Sequence, residues 1–220
     1  MVVVVDYEIG NVRSVINALE YLRVPVRLSR DPREIAAADK LVLPGVGSFN
    51  AGMDKLQKLD LQAVLDDEVL GKGKPILGIC LGMQLFASRG CEHGARAGLG
   101  WLRGAVERFA FPDSGLRVPH IGYNAVRVTR EWPLFAGLRP SPDFYFLHSY
   151  VLECDEAVVA AWCDYGVRFP AAIAMGNIFG TQFHPEKSQS AGLRLLENFV
   201  ALDTAELRER STGLAGGRSS

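Results

Sequence analysis

The sequence predicts an α/β protein in which an open, mostly parallel but mixed sheet carries helices on both faces. Two observations lead to this prediction. Apolar runs at residues 2–5, 41–43 and 75–79 show no polar alternation, which is typical of strands buried on both faces. Amphipathic helical segments separate these runs, and repeated strand–helix–strand units build parallel sheets covered by helices.

The elements of the first half follow in a regular order. Asn11 is placed to cap a first helix, whose apolar residues recur every three to four positions. A short strand at Val26–Ser29 precedes a second helix, which begins at Asp31-Pro32. A longer helical region spans residues 51–70 and is interrupted near Asp60. The alternation of strand and helix extends in this way up to the run at residues 75–79.

The second half changes to shorter strands joined by turns. These strands are predicted at residues 101–109, 118–129, 144–154, 158–163, 171–175 and 178–183. Gly176-Asn177 separates the last two and is typical of a two-residue hairpin turn. A final amphipathic helix begins near Ser190.

The chain is expected to form one domain. Its 220 residues suffice for one good-sized domain, and no repeat or Pro- or Ser-rich linker divides them. We therefore predict a single domain over residues 1–205. The polar, glycine-rich residues 206–220 are predicted to form a disordered tail.

Charge and hydropathy exclude two classes of partner. The chain has 24 Lys and Arg against 25 Asp and Glu, with a net charge of −1 and no block of like charge. Nucleic-acid binding requires a clustered basic face, and binding to an anionic membrane surface requires a polybasic segment. The longest apolar run, residues 1–5, is far shorter than the ~20 residues of a membrane span. We expect neither a nucleic-acid nor a membrane partner.

The cysteines point to a reducing compartment. The four are Cys80, Cys91, Cys154 and Cys163. They form no C-x-x-C pair or disulfide framework, and no export signal begins the sequence. We expect free thiols and a cytoplasmic location.

Cys80 has the sequence surroundings of a nucleophile. The segment 78–82 reads G-I-C-L-G, which has the spacing of a nucleophile elbow with cysteine in place of serine. A buried strand precedes it and a helical pattern follows up to residue 87, so Cys80 falls at a sharp strand-to-helix turn. The helix N-terminus favours the thiolate. The alternative is a small apolar residue packed at a strand end.

His184 and Glu186 are the candidate base and its orienting group. Pro185 biases His184 toward an extended conformation, in which residues 184 and 186 project to the same side. Glu186 can then bind one imidazole nitrogen and leave the other for Cys80. Taken alone, the two residues would be a structural histidine beside a surface glutamate. Together with Cys80 they favour a catalytic triad.

Two sets of backbone donors are expected to bind an oxyanion. The N–H of Leu81 follows the nucleophile directly. The loop of Gly45, Val46 and Gly47 follows the strand at residues 41–43 and fits the second donor. Taken alone, this loop is equally well an ordinary strand-terminating turn.

These residues resemble the class I (triad) glutamine amidotransferases. The resemblance rests first on G-I-C-L-G-M-Q at 78–84 and F-H-P-E at 183–186. Further segments are similar to the glutaminase subunits of imidazole glycerol phosphate synthase, from about residue 1 to residue 202. They are D-Y at 6–7, G-N-V-R-S at 10–14, L-P-G-V-G-S-F at 43–49, V-P-H-I-G-Y-N at 118–124, Y-F-L-H-S-Y at 145–150 and I-F-G-T-Q-F-H-P-E-K-S at 178–188.

The resemblance implies a flavodoxin-like class I amidotransferase fold and an activity. In such proteins a Cys-His-Glu triad hydrolyses the side-chain amide of glutamine to glutamate and ammonia. The ammonia passes through a channel to a separate (β/α)8 cyclase subunit, which makes imidazole glycerol phosphate and an aminoimidazole carboxamide ribotide in histidine biosynthesis. This chain has no such barrel, so the implied partner is another polypeptide in a heterodimer.

The resemblance also assigns further residues to glutamine and to the partner. Glutamine contacts fall on the oxyanion positions and on Gln84, His148, Ser149 and Tyr150. Gln84 lies one helical turn beyond Cys80 and can face the same pocket. Interface positions fall on Tyr145, Lys187, Asn11 and Tyr123.

One position departs from the family pattern. The family reads D-Y-G-x-G-N near the start, and here Glu8 replaces the first of these glycines. If the position requires a positive φ, a glutamate is strained there. The replacement bears on the shape of this turn and on the interface contacts near it, and not on the triad.

Two other functions compete with this interpretation. A self-sufficient cysteine hydrolase on the same fold would turn over without a partner. A catalytically silent binding module would have lost a triad residue, and all three are present. No metal is expected, because no second ligand pair joins Cys91-Glu92-His93 in a zinc spacing. No nucleotide cofactor is expected, because neither a Walker A nor a G-x-G-x-x-G loop occurs.

Overall fold

The computed structural model of the chain describes residues 1–92, 94–111, 115–129 and 132–203. The predicted tail at residues 206–220 lies outside these ranges, as does His93. Among the described residues, no helix is both long and apolar enough to span a membrane.

The chain alternates strands and helices in its first half and is mostly strands thereafter. The α-helices are α1 Val12–Tyr21, α2 Pro32–Ala37, α3 Phe49–Lys58, α4 Leu61–Leu65, α5 Leu81–Gln84 and α6 Gln189–Ala201, and a π-helix at Asp66–Gly71 follows α4 directly. The strands are β1 Val2–Val5, β2 Val26–Ser29, β3 Lys40–Gly45, β4 Ile76–Cys80, β5 Ala87–Gly90, β6 Arg96–Ala97, β7 Leu102–Arg108, β8 His120–Ala125, β9 Arg127–Val128, β10 Asp143–His148, β11 Tyr150–Cys154, β12 Val159–Tyr165, β13 Val167–Met175 and β14 Ile178–Thr181.

The main sheet has eight strands in the order β2-β1-β3-β4-β14-β13-β12-β9. The first five run parallel to their neighbours, and the pairings of β14 with β13, β13 with β12 and β12 with β9 are antiparallel. The predicted fold class, an open and mostly parallel mixed sheet, is therefore confirmed. Two smaller sheets, β10-β8 and β11-β7-β5-β6, lie beside it.

Each face of the main sheet has its own apolar core. Val2 and Val4 of β1 pack in one core, with α1 and α6. Val3 and Val5 pack in the other, with α2, α3 and α4. Because successive side chains of a strand point to opposite faces, a strand covered on both sides has no position left for a polar residue. The helices on both faces of the sheet therefore explain why the valine run of β1 is uninterrupted.

Four local predictions were wrong. The run at residues 118–129 is not one strand, because β8 and β9 belong to different sheets. The run at residues 144–154 is not one strand: β10 and β11 belong to different sheets and separate at Ser149. The helix after Cys80 ends at Gln84 instead of continuing to residue 87, because β5 begins there and pairs with β7. Asn11 stands at the start of α1 but its side chain caps no backbone N–H. It donates to Ser14 Oγ instead, at 3.0 Å.

The carboxyl ends of β3, β4 and β14 meet at one edge of the main sheet. Gly45 at the end of β3 is in register with Cys80 at the end of β4, and Thr181 at the end of β14 is in register with Ile79. In open α/β sheets, ligands bind at this edge. The topology therefore brings the predicted oxyanion loop, nucleophile and histidine segment to one place.

Candidate active site

Cys80 lies at a strained turn between β4 and α5. Its φ of 54° and ψ of −107° fall outside the regions that a side chain normally allows. Close packing of the turn accounts for the flanking glycines. A Cβ at Gly82 would lie 1.7 Å from the carbonyl oxygen of Leu43, and one at Gly78 would lie 2.7 Å from the Met83 nitrogen and the Phe86 ring. The predicted nucleophile-elbow geometry is present.

His184 and Glu186 form a hydrogen-bonded pair. His184 Nδ1 lies 2.8 Å from Glu186 Oε1, and both side chains are almost completely buried. The expected contact is made, and His184 has the extended backbone predicted from Pro185, with a φ of −100° and a ψ of 96°. Only the extension of this conformation to Glu186 was wrong. The segment Pro185–Lys187 is a 3₁₀ turn, not an extended strand. The turn folds Glu186 back under the imidazole, and Pro185 begins it with a φ suited to that conformation.

Burial and neighbouring charge set the protonation of His184. Burial lowers the pKa of His184, but the side chains of Cys80 and Glu186 outweigh this effect and raise it to about 10. The imidazolium form is therefore favoured at neutral pH. Nε2 makes no hydrogen bond of good geometry with any described residue. Its interaction with Cys80 is thus not yet a closed hydrogen bond, as is common in active sites before substrate binds.

The Cys80 sulfur has two further polar neighbours. Gln182 Nε2 lies 3.6 Å from Sγ and can donate to it. The carbonyl oxygen of Leu147 lies 3.7 Å away and can accept from the thiol. Cys80 is only 5% exposed and His184 2% exposed, so the described residues cover the site in this state.

Gln84 is held by the protein rather than left free in a pocket. Its Nε2 donates to Gln182 Oε1 and to the carbonyl oxygen of Tyr150, each at 2.9 Å. Because Gln182 also donates to Cys80, an amide chain connects Gln84 to the nucleophile. Gln182 was not predicted from the sequence. The signal was available, since Gln182 lies only two residues before His184 in the segment that carries the resemblance.

His148 lies in a buried aromatic cluster and contacts a second histidine. Its Nδ1 donates to the carbonyl oxygen of Tyr150 at 2.9 Å, so its Nε2 is left to accept from His120 Nδ1 at 3.2 Å. His120 stacks on Phe146 and Tyr165. Burial lowers the pKa of His120 to about 4 and that of His148 to about 3. Both imidazoles are therefore neutral at pH 7, which the sequence did not indicate.

The loop of Gly45, Val46 and Gly47, here called the oxyanion loop, lies beside the nucleophile. Gly45 is in register with Cys80, and Gly47 has a φ of 115° with open space where a Cβ would lie. Leu81 begins α5 directly after Cys80. Ser149 links β10 to β11, and its carbonyl oxygen accepts from the Phe109 N–H. The predicted site residues thus lie in adjoining segments.

Glu8 adopts the conformation that its glycine counterpart in the family pattern would favour. Its φ is 62°, so the position does require positive φ and the glutamate is strained there. Its carboxylate binds Arg30 Nη1 at 2.7 Å and Lys55 Nζ at 2.6 Å. The two cations, Lys55 more than Arg30, lower the pKa of Glu8 to about 2. The substitution therefore adds ion pairs that hold the turn.

Three of the four predicted interface residues form a cluster. Tyr123 packs edge-on against Tyr145, and Lys187 Nζ lies 5.6 Å from the Tyr145 ring centroid. Tyr123 OH also donates to the carbonyl oxygen of Lys187 at 2.7 Å. Asn11 is exposed at the start of α1, which packs next to the turn containing Lys187. The cluster lies close to the triad, because His184 N donates to the carbonyl oxygen of Tyr145 at 2.8 Å.

Comparison with known proteins agrees with this fold. Residues 3–202 match the family model described as glutamine amidotransferase class-I. A solved structure of a putative GMP synthase protein from Thermoplasma acidophilum superposes with a TM-score of 0.70 at 24% identity, covering 96% of each chain. At this identity the likeness shows the fold alone. The class defined by the fold and the family model is that of the glutamine amidotransferases.

Curated relatives narrow the class to one family. Imidazole glycerol phosphate synthase subunit HisH 1 of Campylobacter jejuni strain RM1221 is 45% identical over 202 residues, which cover 92% of this chain and all of the relative. The subunit HisH of Salinibacter ruber is 46% identical over 211 residues, covering 94% of this chain and 96% of the relative. The chain belongs to the HisH subunits of imidazole glycerol phosphate synthase, within the class-I glutamine amidotransferases.

Proposed function

We propose that this chain releases ammonia from glutamine with Cys80, His184 and Glu186, and delivers it to a separate (β/α)8 cyclase subunit. That partner uses the ammonia to make imidazole glycerol phosphate and aminoimidazole carboxamide ribotide in histidine biosynthesis. The observation that carries the proposal is the strained Cys80 beside the buried His184–Glu186 pair in a chain about 45% identical to HisH subunits.

The chemistry proceeds through a thioester. Cys80 reacts as a thiolate whose proton is already held by the His184 imidazolium, and its Sγ attacks the side-chain carbonyl carbon of glutamine. His184 then gives this proton to the departing nitrogen, so ammonia leaves and a γ-glutamyl thioester remains. Water attacks the thioester with His184 as base, and glutamate is released. Glu186 holds Nδ1–H throughout and stabilises the imidazolium.

The oxyanion of each tetrahedral intermediate is held by backbone donors. The Leu81 N–H at the start of α5 and an N–H of the oxyanion loop are the proposed pair. Gly45, Val46 and Gly47 form that loop, and Gln84, His148, Ser149 and Tyr150 line the glutamine site from the other side. Gln84 and His148 both donate hydrogen bonds to the carbonyl oxygen of Tyr150, which supports a role for both in positioning this side of the glutamine site.

The cyclase is proposed to dock on the outer face of the β10-β8 sheet. On this face Ile121 is 58% exposed and Tyr123 is 51% exposed. The two large apolar side chains lie next to each other on the same side of β8, and such an exposed patch is typical of an interaction surface. Tyr145 pairs with Tyr123 in this sheet, and Lys187 and Asn11 extend the surface. The bond from His184 N to the Tyr145 carbonyl offers a short route from docking to the triad.

We further propose that residues 1–205 form one domain and that the protein works in the cytoplasm. The four cysteines support this location, since all are free thiols.

Glutamate release from glutamine tests the function. It is measured for the chain alone, and again with the cyclase partner plus its nucleotide substrate. We expect turnover that rises with partner and substrate and disappears in Cys80→Ala. Unchanged turnover without any partner would contradict a role as a subunit and favour a free-standing hydrolase. No turnover with the partner shown to bind would indicate a catalytically silent chain.

A further inference from the structure

The hydroxyl of Tyr7 is a buried donor that lacks a partner in the described part of the chain. Tyr7 follows β1 and is 0% exposed, and its hydroxyl makes no hydrogen bond with any described residue. An unpaired buried hydroxyl is costly, and native structures contain few of them. Such a group calls for an explanation, and one explanation is a partner that arrives in another state of the molecule.

The place of this hydroxyl connects it with the oxyanion loop. A Cβ at Gly45 would lie 2.2 Å from the Tyr7 hydroxyl oxygen and 2.9 Å from the Cβ of Leu81. The hydroxyl therefore occupies the space where a side chain of residue 45 would be. It lies close to the first residue of the oxyanion loop and to the residue whose N–H is the other proposed donor.

The oxyanion loop has room to change conformation. Gly47 has a φ of 115° and open space around it, and Val46 is 36% exposed. Glycines on both sides of Val46 lower the barrier to rotating its two peptide groups. A rotation that turns a peptide N–H toward the substrate turns the carbonyl oxygen of the same peptide the opposite way.

We propose that Tyr7 is a positioning residue for the oxyanion loop. In the loop conformation that holds the tetrahedral intermediate, the Tyr7 hydroxyl donates to a backbone carbonyl of residues 45–47. The inference rests on the proposed glutaminase function. It assigns Tyr7 no contact with glutamine; the residue acts through the loop.

The protonation of Tyr7 suits a donor. Burial, and to a smaller extent the charge of Cys80, raise the pKa of Tyr7 well above its ordinary value. The group therefore keeps its proton beside Cys80. The hydrogen bond forms only with the loop in its working conformation, so it lowers the energy of the transition state more than that of the ground state.

Tyr7→Phe tests the proposal, in the complex with the cyclase partner and its nucleotide substrate. The variant keeps the ring and removes only the hydroxyl. We expect kcat for glutamate release to fall about tenfold, the value of one hydrogen bond, with KM for glutamine unchanged. The free energy of unfolding of the isolated chain should be unchanged or higher, because an unpaired buried hydroxyl is gone.

Tyr165→Phe is the matched control. The Tyr165 hydroxyl donates to the carbonyl oxygen of Arg117 at 2.8 Å, so it is already paired in this state. Its removal should lower stability and leave kcat unchanged, the opposite of the Tyr7 result.

The outcomes separate this inference from the proposed function. An active wild type with unchanged kcat in Tyr7→Phe overturns the role of Tyr7 and leaves the glutaminase function standing. Lower stability of Tyr7→Phe also overturns it, because the hydroxyl would then have a partner in the ground state. A wild type that releases no glutamate with its partner overturns the function and the Tyr7 role together.

Discussion

At the residue scale, single positions in this protein adopt conformations that their residue types rarely take. Cys80 and Glu8 both have positive φ. For Cys80 the strain follows from the predicted elbow, since a nucleophile at the tip of a turn must leave the regular strand geometry. For Glu8 the departure from the family pattern revealed the position, but only the structure shows that Arg30 and Lys55 compensate for it.

Two substitutions at Glu8 separate backbone strain from ion pairing. Glu8→Gly removes both the strain and the ion pairs, whereas Glu8→Ala removes the ion pairs and keeps the strain. We therefore expect Glu8→Ala to be the less stable of the two variants. Urea denaturation of both proteins measures the difference, and an alanine variant as stable as the glycine variant would contradict the strain argument.

The pKa of His184 can be measured directly. Cys80 and Glu186 hold it at about 10, so we expect an imidazolium in the wild type at pH 8. Cys80→Ala removes one of the two groups and should lower the pKa of His184. Nuclear magnetic resonance titration of the imidazole checks this. The stability that the imidazolium contributes is complete below pH ~6.5 and is lost as the pH rises through the folded pKa. Equal midpoints of the imidazole titration in the wild type and in Cys80→Ala would exclude an effect of Cys80 on the pKa of His184.

At the scale of secondary-structure elements, close packing rather than propensity decides where the site residues lie. Helix α5 has only four residues, too few to be stable alone. It is held because Gly82 lets its first turn approach the Leu43 carbonyl of β3. The sequence indicated that a helix follows Cys80. Its early end could not be predicted, because it depends on the pairing of β5 with β7, distant in the chain.

Gly82→Ala should disturb this contact. A Cβ placed 1.7 Å from the Leu43 oxygen forces α5 away from β3, and overpacking of this kind costs about 1–3 kcal/mol. We expect lower stability together with loss of glutaminase activity, since Cys80 and Leu81 move with the helix. Gly71→Ala is the control, because its nearest neighbour would lie at an ordinary 3.4 Å. Thermal unfolding and glutamate release measure both effects, and a fully active Gly82→Ala would refute the packing argument.

At the scale of the whole molecule, a buried neutral histidine pair links the small sheet to the site. His120 of β8 and His148 of β10 contact each other across the sheet, and His148 continues to the Tyr150 carbonyl. The sequence assigned His148 to glutamine binding and assigned nothing to His120. The pairing arises from strand register, which brings His148 opposite His120.

The His120–His148 pair should make the free energy of unfolding fall in mild acid. The folded pKa values of about 4 and 3 lie below the ordinary value near 6.5, so the unfolded chain takes up protons first as the pH falls. This stability is present above pH ~6.5 and is lost toward pH 4 and 3. In the wild type the free energy of unfolding should fall between pH 7 and 5, and His120→Gln should reduce this fall by about 1–2 kcal/mol. Chemical denaturation across this range checks the slope, and an unaltered slope would show that His120 does not titrate on unfolding.

The proposed docking face gives a prediction for the complex. Ile121 is exposed on the outer face of the β10-β8 sheet and is not part of the proposed catalytic machinery. Ile121→Glu should weaken cyclase binding and the stimulation of glutamate release, while leaving the stability of the isolated chain nearly unchanged. Titration calorimetry with the cyclase measures the first effect. Unaltered affinity would place the docking surface elsewhere.

Local sequence patterns were enough to predict the fold class and the candidate triad. Buried parallel strands require unbroken apolar runs, and a nucleophile elbow requires glycines two residues to either side, so both leave a signal over a few neighbouring residues. Other features emerged only from the folded chain: how Glu186 reaches His184, which neighbours hold Gln84, and that Tyr7 lies against Gly45. Most of these features depend on contacts between segments far apart in the chain. Such long-range contacts are set by the packing of the sheet and leave no periodic pattern in the sequence.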